Sequence, residues 1–596
     1  MTNAAVVGPS TGTVTETSAT SSVGFNFFVT GSGVSRPFHA QTGILATRRP
    51  SDAANTVPSW NGNPELLRID ASALVGGSNV AVATGSTASF INGIMDYDTS
   101  AGQYKVVCGT GDIGTLSPSS PTLAATPIAA PLSSDLLVVD ANIERFFNTV
   151  NTGGDVVLTQ TAYDGRLNKL SLAVRNVMRM PDIIALQEVE GPTSGSSFPV
   201  LQDIVNKINA DASSASQGSP NYGYCGGITN DPGKIAPAVI FRQDRVSQLE
   251  CSQYGTANIY TLPYTTTPTT NTLNDRPPVV FRGRATAPGS DSSMDVRVVV
   301  KHLRSLNGID EPGTGNGDRV RRKHGEQAKY LANLVSGNLG SAQNVNWSLT
   351  ENLIVAGDMN AFDVNDSYGD TVSYIAGSPA PASQIYSTQA QLNASSPCAA
   401  KANLALTNLT TTDPAQRYSY SYAGIAQRID HVLVNSKLNA RVRDFTYVRN
   451  NADFPEGPTY RSDFNRPERY SDHDAPAVYL KMPIEVTSRS RVNASAVALN
   501  RSTGRYNGTI TVTDTGTTTL AGPIYIFFTL SGTVTLPDFP QANGLPYATI
   551  NSPAGLAPGT TSASVAISFA NPTNARISYT TKRYAVNFQQ TDSEIL

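Results

Sequence analysis

The sequence of 596 residues is only 15% charged, and its 43 lysines and arginines against 46 aspartates and glutamates give a net charge of −3. At roughly 150 residues per domain, this length excludes a single compact domain and favours three or four. The charge balance excludes a globally basic nucleic-acid-binding protein, because non-specific affinity for a polyanion needs clustered lysines and arginines. The sequence has no uninterrupted apolar stretch of about 18 residues, so we expect no transmembrane segment.

Serine, threonine, asparagine and glycine take the place of the usual charged residues, which is a composition common in exported proteins. The N-terminus lacks a charged segment followed by an apolar one, the pattern of a signal peptide. We therefore expect a secreted protein, extracellular or periplasmic, whose signal peptide has been removed.

The first 131 residues predict an all-β, OB-like module. Short β-rich runs at 23–29, 80–83, 90–95 and 103–107 are separated by glycine, serine and proline turns. Residues 116–134 are rich in proline, alanine and serine and predict a linker, because proline cannot pair within a central strand.

Residues 132–483 alternate between strand and helix patterns, which predicts an α/β layered domain. Apolar residues recur at helical spacing in three segments: Leu167, Leu170, Val174, Val177 and Met178; Leu201, Ile204, Val205 and Ile208; and Tyr330, Leu331, Leu334 and Val335. Residues 484–596 change to period-two alternation, as in 509–513, and predict an immunoglobulin-like β-sandwich. We expect this terminal sandwich to serve association with a cell surface or an extracellular matrix.

Four cysteines stand at Cys108, Cys225, Cys251 and Cys398 without CxxC spacing. An even number in an exported chain permits two disulfides, and Cys225 with Cys251 is the preferred pair. Four buried free thiols are the alternative.

Short polar clusters follow apolar, β-rich runs and carry the chemistry. The runs at 183–186, 296–300, 353–356 and 432–434 predict buried strands. The clusters are Gln187-Glu188, Lys301-His302, Gly357-Asp358-Met359-Asn360, Ile429-Asp430-His431 and Ser471-Asp472-His473. Strand ends that meet at one edge of a sheet would gather these acids and imidazoles in one pocket, which predicts a metal-assisted phosphoesterase.

Three of these motifs also have ordinary structural explanations. Glu188 is a hard oxygen ligand suited to Mg²⁺, but a strand-end glutamate is often a solvated or helix-capping residue. Asp358 could orient an attacking water and Asn360 could donate to a phosphate oxygen, whereas the same residues also fit an Asx turn. His302, two residues before Arg304, could face a phosphate or could be a core-edge histidine bonded to a backbone carbonyl.

Asp430 and His473 predict a supporting pair. A buried carboxylate bonded to the far nitrogen of His473 would fix its tautomer and stabilise the imidazolium. The alternative for Asp430 is an ordinary ion pair with Arg428 or Arg443. His431 should point to the opposite face of its strand from Asp430, which predicts a structural role.

In this order, the motifs resemble the endonuclease/exonuclease/phosphatase superfamily of deoxyribonuclease I-like proteins, in particular its secreted bacterial extracellular nucleases. The resemblance is carried by Asn142, Gln187-Glu188, His302, Gly357-Asp358-Met359-Asn360, Asp430 and Ser471-Asp472-His473, with further similar segments at 274–278, 299–305, 418–420 and 429–433. It covers about residues 136–483, and the segment 91–97 is similar to a β module that precedes the catalytic domain in such nucleases.

The resemblance implies a four-layered α/β sandwich in which two mixed sheets pack face to face between helices. It implies that Glu188 binds Mg²⁺, Mn²⁺ or Ca²⁺ with help from Asn142 and Asp472. It further implies that Asp358 and Asn360 handle the water and the phosphate, that His302 and His473 flank the scissile group, and that Asp430 orients His473. Because the first motif is Asn142-Ile143-Glu144, it stays open whether Glu144 reaches the cation or faces solvent.

A nuclease acting on extracellular DNA or RNA is favoured by local basic residues: Arg276 and Arg304, which could bind phosphate, and the run Arg319, Arg321, Arg322 and Lys323. Their alternative is an ordinary solvated helix start. Tyr418, Tyr420 and Tyr422 could stack bases, although cross-strand packing is the commoner role. The alternative functions are a phosphatase or a lipid or inositol phosphodiesterase, for which the sequence shows no convincing exposed apolar hairpin, and an adhesion or assembly protein with a retained catalytic fold.

Overall fold

A computed structural model of the protein describes residues 1–45, 57–72, 74, 76–99, 101–262, 269–311, 316–339, 346–386, 404–542 and 544–585. Cys398 lies outside the described residues. Within them, no helix has the length and apolar character needed to cross a membrane.

The first part of the chain is built of short strands. They are β1 Thr2–Gly8, β2 Gly12–Thr15, β3 Thr20–Val23, β4 Asn26–Thr30, β5 Ile44–Leu45, β6 Ser59–Trp60, β7 Leu67–Asp70, β8 Thr87–Phe90, β9 Ile94–Asp98, β10 Gln103–Val107 and β11 Leu116–Ser117. Seven of the described strands form one sheet in the order β11-β8-β1-β4-β7-β10-β9. The expected strand at 80–83 is absent from the described structure, and the run at 23–29 is split at Gly24, whose N–H donates to the carbonyl of Thr11 at 2.7 Å.

The stretch expected to be a linker, 116–134, packs along the protein instead of spanning a gap. Its first residues form β11, which pairs with β8. Further on, the N–H of Ala125 donates to Glu468 Oε1 at 2.7 Å, and the N–H of Ile128 donates to the carbonyl of Val177 at 3.0 Å. Proline-rich sequence predicts the absence of a central strand, but it does not predict whether the chain is held by neighbouring segments.

The central part contains two six-stranded sheets. Their strands are β12 Asp135–Phe146, β13 Ile183–Glu190, β14 Tyr222–Gly226, β15 Ile235–Arg242, β16 Val246–Gln253, β19 Val279–Thr286, β20 Ser293–Val300, β21 Leu353–Asp358, β22 Thr407–Asn408, β25 Asp430–Val434, β26 Val442–Val448 and β27 Ala475–Lys481, with the two small pairs β17 Ile259–Leu262 with β18 Thr269–Thr272 and β23 Tyr420–Tyr422 with β24 Ile425–Gln427. Among the described strands the first sheet has the order β14-β15-β13-β12-β27-β26, and the second has the order β16-β19-β20-β21-β25-β22.

Helices cover the outer faces of these sheets. They are α1 Gln160–Leu172, which continues as a π-helical turn at Ala173–Val177, α2 Pro199–Ser214, α3 Asn316–Val335, α4 Trp347–Thr350, α5 Thr371–Ala376 and α6 Ser436–Asn439. Short 3₁₀ turns lie at Glu16–Ser18, Thr110–Asp112, Ser120–Thr122, Ala382–Gln384 and Pro414–Gln416. Leu167 and Leu201 pack on the first sheet, and Leu331 packs on the second.

The alternation of side chains along β12 shows how the layers are assembled. Leu136 and Val138 point into the core between the two sheets, where they join Val298 and Ile354 from the second sheet. Leu137 and Val139 point outward and pack with α1 and α2. A strand with apolar residues on both faces is expected where a sheet is covered on both sides. The predicted four-layered α/β sandwich is therefore present.

The last part of the chain forms two four-stranded sheets within the described residues, one containing β28 Ser490–Ala494, β29 Ala498–Asn500, β30 Arg505–Asp514 and β34 Val565–Phe569, and the other β31 Ile524–Leu530, β32 Gln541–Ala542, β33 Leu545–Ile550 and β35 Tyr579–Ala585. The hydrophobic core between the central sheets continues through Ile484 and Val486 to Ile510 and Ile526. The change of sequence pattern near Pro483 is therefore not a break in packing.

A disulfide joins Cys225 to Cys251. Cys225 lies in β14 and Cys251 in β16, which are edge strands of the first and second sheets. The bond thus ties one edge of each sheet to the other. Cys108 is a buried free thiol.

Candidate active site

Asn142 and Glu188 lie on neighbouring parallel strands, β12 and β13, where the regular pairing ends. The register shifts after Asn142 on β12 and after Leu186 on β13, and Glu188 adopts a positive φ of 64°. This bend lets Asn142 Nδ2 donate to Glu188 Oε1 at 3.1 Å and to Asp358 Oδ2 at 3.1 Å. Asn142 Oδ1 accepts from the N–H of Glu144 at 2.9 Å, so a half-turn of the amide would be needed to present the oxygen to a cation.

Asp358 and Asp430 are directly opposite each other on the antiparallel strands β21 and β25. Both are buried, and burial together with repulsion from Asp430 raises the pKa of Asp358 to about 7. The N–H of Asn360 donates to Asp358 Oδ1 at 2.8 Å. This is the Asx geometry that the sequence offered as an alternative to a catalytic role, and it leaves the second carboxylate oxygen facing Asn142.

Gly357 allows β21 to lie close to the chain that leaves β20. It adopts a φ of 146°, and a Cβ at this position would lie 1.7 Å from the carbonyl oxygen of Lys301. On the far face of β25, His431 is buried, with Nε2 at 2.8 Å from the carbonyl of Ala361. His431 therefore has the structural place that strand alternation predicts.

His302 is buried 3.5 Å from Asp358 Oδ2, measured from Nε2, and 3.9 Å from Glu188 Oε1. Arg276 Nη1 lies 3.2 Å and 3.4 Å from the two ring nitrogens. Burial, reinforced by Arg276 and by His473, holds the pKa of His302 well below its ordinary value. His302 is thus a neutral imidazole beside two carboxylates.

His473 has the opposite charge state. Its Nδ1 lies 2.8 Å from Asp430 Oδ2, and its Nε2 lies 3.8 Å from Asp472 Oδ1. Burial opposes protonation, but Asp430 and Asp472 outweigh it and raise the pKa of His473 well above its ordinary value. The alternative ion pairs of Asp430 are not formed in the described structure, since Arg428 pairs with Asp363 and Arg443 pairs with Asp135.

Two groups of potential ligand atoms lie within 4.8 Å of one another in the described residues: Glu188, His302 and Asp358, and Asp358, Asp430 and His473. The second group already contains a positive charge, because His473 is held as an imidazolium between carboxylates. The first contains two carboxylates and a neutral imidazole, and each of these groups can ligate a divalent metal ion. The donor set at Glu188 therefore fits a divalent cation.

The contacts of Glu144 decide whether this residue reaches the cation or faces solvent, which the first motif left open. Burial and repulsion from Glu144 raise the pKa of Asp472 to about 6, with a further contribution from Glu188. Glu144 itself forms a two-pronged ion pair with Arg461, at 2.5 Å and 2.6 Å. Glu144 is therefore neutralised by Arg461, while Asp472 keeps a carboxylate that repels the other acids.

Some of these groups line one cavity of about 790 Å³, whereas Asn142, Asp430 and Asp472 are not part of its lining. Of the predicted site residues, Glu188, Arg276, His302, Asp358, Asn360 and His473 line it. The first part of the chain also contributes to the lining, through His39, Trp60, Tyr97 and Tyr104, and β23 and β24 contribute Tyr420, Tyr422 and Ile425. The cavity is thus built from segments that lie more than 400 residues apart in sequence.

The basic residues expected to bind phosphate are mostly engaged elsewhere. Among the described residues, Arg304 does not line the cavity; its Nη1 donates to Ser305 Oγ at 2.9 Å. Arg321 is fully buried and donates to the carbonyl of Ile309, and Lys323 pairs with Asp275 at 2.7 Å. Tyr418 is buried beside Arg449, so it is a packing residue.

Sequence reasoning missed a buried acid behind the site. Asp140 accepts from Gln187 Nε2 at 2.7 Å, and burial together with repulsion from Asp430 raises its pKa well above the ordinary value. Asp140 stands two residues before Asn142 and so lies on the same face of β12. That alternation was the available signal.

No protein-family model matches the sequence, and no curated protein matches it. Solved structures similar to this chain include an endonuclease/exonuclease/phosphatase from Bacteroides vulgatus, with 12% identity over 58% of this chain and 99% of that chain and a TM-score of 0.32. They also include the human Nocturnin catalytic domain with bound sulfate, with 14% identity over 59% and 95% and a TM-score of 0.31. A mannosyl-6-phosphatase from Bacteroides thetaiotaomicron is similar at 14% identity over 58% and 98%, with a TM-score of 0.30.

The motifs and the arrangement of acids and imidazoles in the four-layered sandwich together define a candidate phosphoester hydrolase.

Proposed function

We propose that the protein is a metal-dependent phosphodiesterase of the endonuclease/exonuclease/phosphatase superfamily and that it hydrolyses nucleic acid. The observation that carries this proposal is the convergence, in one cavity, of the carboxylates of Glu188 and Asp358, the neutral imidazole of His302 and the imidazolium of His473. Each has a task in the attack of water on a phosphodiester.

Glu188 would hold the cation at the cluster that it forms with His302 and Asp358. Asp472 and, after rotation of its amide, Asn142 are the further ligands that the motifs suggest. Repulsion from Glu188 contributes to the raised pKa of Asp472, and a divalent cation bound between the two carboxylates would relieve it, which supports this assignment. Mg²⁺ or Mn²⁺ held there would neutralise charge on the non-bridging oxygens of the phosphate.

Asp358 is suited to accept the proton of the attacking water, because a general base works best with a pKa near the working pH. His473, held protonated by Asp430, can stabilise the phosphate charge and give a proton to the leaving oxygen. His302 and Asn360 would then position the phosphate as neutral hydrogen-bonding groups.

Export of the protein is part of the proposal. A disulfide between Cys225 and Cys251 supports it, because structural disulfides persist chiefly in oxidising compartments. An extracellular or periplasmic location would place the enzyme where free DNA or RNA is the substrate.

The first experiment compares the wild type and His473→Ala on supercoiled plasmid and on a single-stranded oligonucleotide, each with Mg²⁺ and with excess chelator. We expect metal-dependent cleavage that the variant loses, with circular dichroism confirming that the variant is folded. The control is Asp164→Asn, an exposed position on α1 outside the cavity, which should keep full activity.

Cleavage that persists in excess chelator would contradict the metal-dependent proposal. If the wild type cleaves no nucleic acid but hydrolyses small phosphate esters, the protein is a phosphatase or a lipid or inositol phosphodiesterase. An adhesion protein with a retained catalytic fold would show neither activity.

A further inference from the structure

A pair of exposed tyrosines from the first part of the chain reaches the candidate active-site cavity. Tyr97 on β9 is directly opposite Tyr104 on β10, and their rings lie edge to face with centroids 5.0 Å apart. The two side chains are 44% and 56% exposed, and both line the cavity that contains Glu188 and His302. Contiguous exposed apolar surface, unlike single scattered residues, marks interaction sites and ligand-binding grooves.

A second pair of tyrosines lines the same cavity from the central part of the chain. Tyr420 lies 4.8 Å from the ring of His473, centroid to centroid, at an interplanar angle of 35°. Tyr422, two residues on and 58% exposed, also lines the cavity. We call Tyr97, Tyr104, Tyr420 and Tyr422 the tyrosine wall.

Positive charge is scarce in this cavity. Among the described residues, Arg276 is the one lysine or arginine in its lining, and its guanidinium is already held against His302 and the carbonyl of Leu303. A protein that binds a duplex through its backbone relies on many lysine and arginine contacts to phosphate. The lining offers aromatic faces instead.

The volume of the cavity also favours an unpaired strand over a duplex. A cavity of about 790 Å³ falls within the roughly 300–1,000 Å³ of small-molecule sites, so one or two unstacked nucleotides would fit and a base-paired duplex would not. Proteins bind single strands by stacking successive bases on aromatic side chains, without needing to read the sequence.

We propose that the tyrosine wall stacks unpaired bases beside the scissile phosphate, so that the substrate is single-stranded nucleic acid. This inference rests on the proposed phosphodiesterase function. It assigns a substrate-binding role to the first part of the chain, whose β9 and β10 lie outside the four-layered sandwich.

A lipid surface is the alternative occupant of this hairpin. The sequence showed no convincing exposed apolar hairpin, but the structure exposes apolar residues on β9. Ile94 and Met95, on the same strand as Tyr97, are 63% and 56% exposed, yet neither lines the cavity. Their neighbour Asp96 is exposed and acidic, which opposes contact with an anionic membrane. Base stacking needs the tyrosines, whereas membrane insertion would need Ile94 and Met95.

The test uses two matched double variants of this hairpin, Tyr97→Ala/Tyr104→Ala and Ile94→Ala/Met95→Ala, with Tyr97→Phe/Tyr104→Phe to retain the rings. The probes are a fluorescent single-stranded oligonucleotide, the same sequence as a duplex, and an oligonucleotide with abasic sites on both sides of the scissile phosphate. The measurements are kcat and KM in Mg²⁺.

We expect the wild type to prefer the single strand over the duplex and over the abasic strand. In Tyr97→Ala/Tyr104→Ala the KM for the single strand should rise about tenfold or more, as expected for losing a stacked base, with a smaller effect on kcat. The preference over the abasic strand should shrink accordingly. The phenylalanine variant should retain the preference over the abasic strand, because it keeps the stacking rings, and Ile94→Ala/Met95→Ala should behave like the wild type.

Equal cleavage of duplex and single strand, or an unchanged KM in the tyrosine-to-alanine variant, would overturn this inference while leaving the nuclease proposal intact. Binding to phosphatidylcholine vesicles that Ile94→Ala/Met95→Ala abolishes, without any nucleic-acid cleavage, would overturn both and assign the hairpin to a lipid surface.

Discussion

Asp430 raises the pKa of two neighbours, which favours the charged form of His473 and the neutral form of Asp358. Its carboxylate stabilises the imidazolium of His473 at 2.8 Å, and it destabilises the carboxylate of Asp358 directly across the strand pair. Both effects are strong because all three groups are buried, where water screens charges poorly. A single side chain therefore sets the protonation of a candidate acid and a candidate base together.

Replacing Asp430 by Asn should lower kcat about 10²-fold or more and leave KM nearly unchanged, because positioned proton transfer contributes about that much. An amide keeps the size of the side chain but holds His473 less well as a cation. Steady-state kinetics would check this, with Asp164→Asn as the control. Equal losses in kcat and in substrate affinity would indicate structural damage instead.

The same variant should change the pH profile. Asp358 is protonated below its pKa of about 7, so as a base it loses activity when the pH falls through that value. Removing the charge of Asp430 lowers the pKa of Asp358, and the acid limb of kcat should move to lower pH. Profiles from pH 5 to 9 would show the shift, and an acid limb that stays in place would argue against Asp358 as the base.

The sequence predicts the contacts between charged side chains in the candidate site only in part. The pairing of Asp430 with His473 follows from chemical reasoning, because a buried carboxylate beside an imidazole has few other stable partners. The placement of Arg276 against His302 could not be foreseen, since a guanidinium on a long side chain reaches many positions. The same is true of the Arg461 side chain, which neutralises Glu144 across more than 300 residues.

At the scale of elements, the site depends on strands that approach closely and then bend. Gly357 lies where β21 meets the chain that leaves β20, and the positive φ of Glu188 turns its carboxylate out of β13. Strand existence was well predicted, because 183–186, 296–300, 353–356 and 432–434 are apolar runs buried on both faces. Register shifts leave no such pattern and were not predicted.

Gly357→Ala should destabilise the protein by about 3 kcal/mol or more and abolish activity, because the new Cβ would meet the backbone of Lys301 and the φ of 146° is unsuited to alanine. Chemical denaturation and the plasmid assay would measure the two effects. Gly31→Ala is the matched control, since its Cβ would find its nearest neighbour at 3.7 Å. Wild-type stability of Gly357→Ala would contradict this account of the strand contact.

At the scale of the whole molecule, the sequence indicated three successive units. The structure joins them through contacts that no local sequence pattern predicts. His39 stacks on Phe362 with ring centroids 3.7 Å apart and lies 4.5 Å from Trp60. These contacts link the first part of the chain to the loop after β21. Segments separated by more than 300 residues leave no periodic signal of their meeting.

His39 should make the stability of the protein depend on pH. Burial lowers its pKa to about 4, with Asp363 the opposing charge nearby. Above the unfolded pKa of about 6.5 the imidazole is neutral in both states, and its contribution to stability is fully present. Between about pH 6.5 and 4 only the unfolded chain takes up the proton, so stability falls by about 3 kcal/mol from this group.

His39→Phe keeps a ring against Phe362 but removes the titration. Free energies of unfolding at pH 7.5 and at pH 4.5 should therefore differ less in the variant than in the wild type, while the other buried histidines contribute equally to both. An identical pH dependence in the two proteins would show that His39 titrates normally.

The disulfide between Cys225 and Cys251 has its consequence at the same scale, because it ties edge strands of the two facing sheets, β14 and β16. Closing a loop across a sequence separation of 26 residues restricts the unfolded chain and is worth roughly 3 kcal/mol. Cys225→Ala/Cys251→Ala should lower the Tm, and reductant should lower the Tm of the wild type but not of the variant. Activity below the transition should remain, since the site is built on β12, β13, β21 and β25.

Cys108→Ala, which removes a buried free thiol, is the control and should remain sensitive to reductant. Alkylation of both Cys225 and Cys251 in the unreduced, unfolded protein would refute the bond.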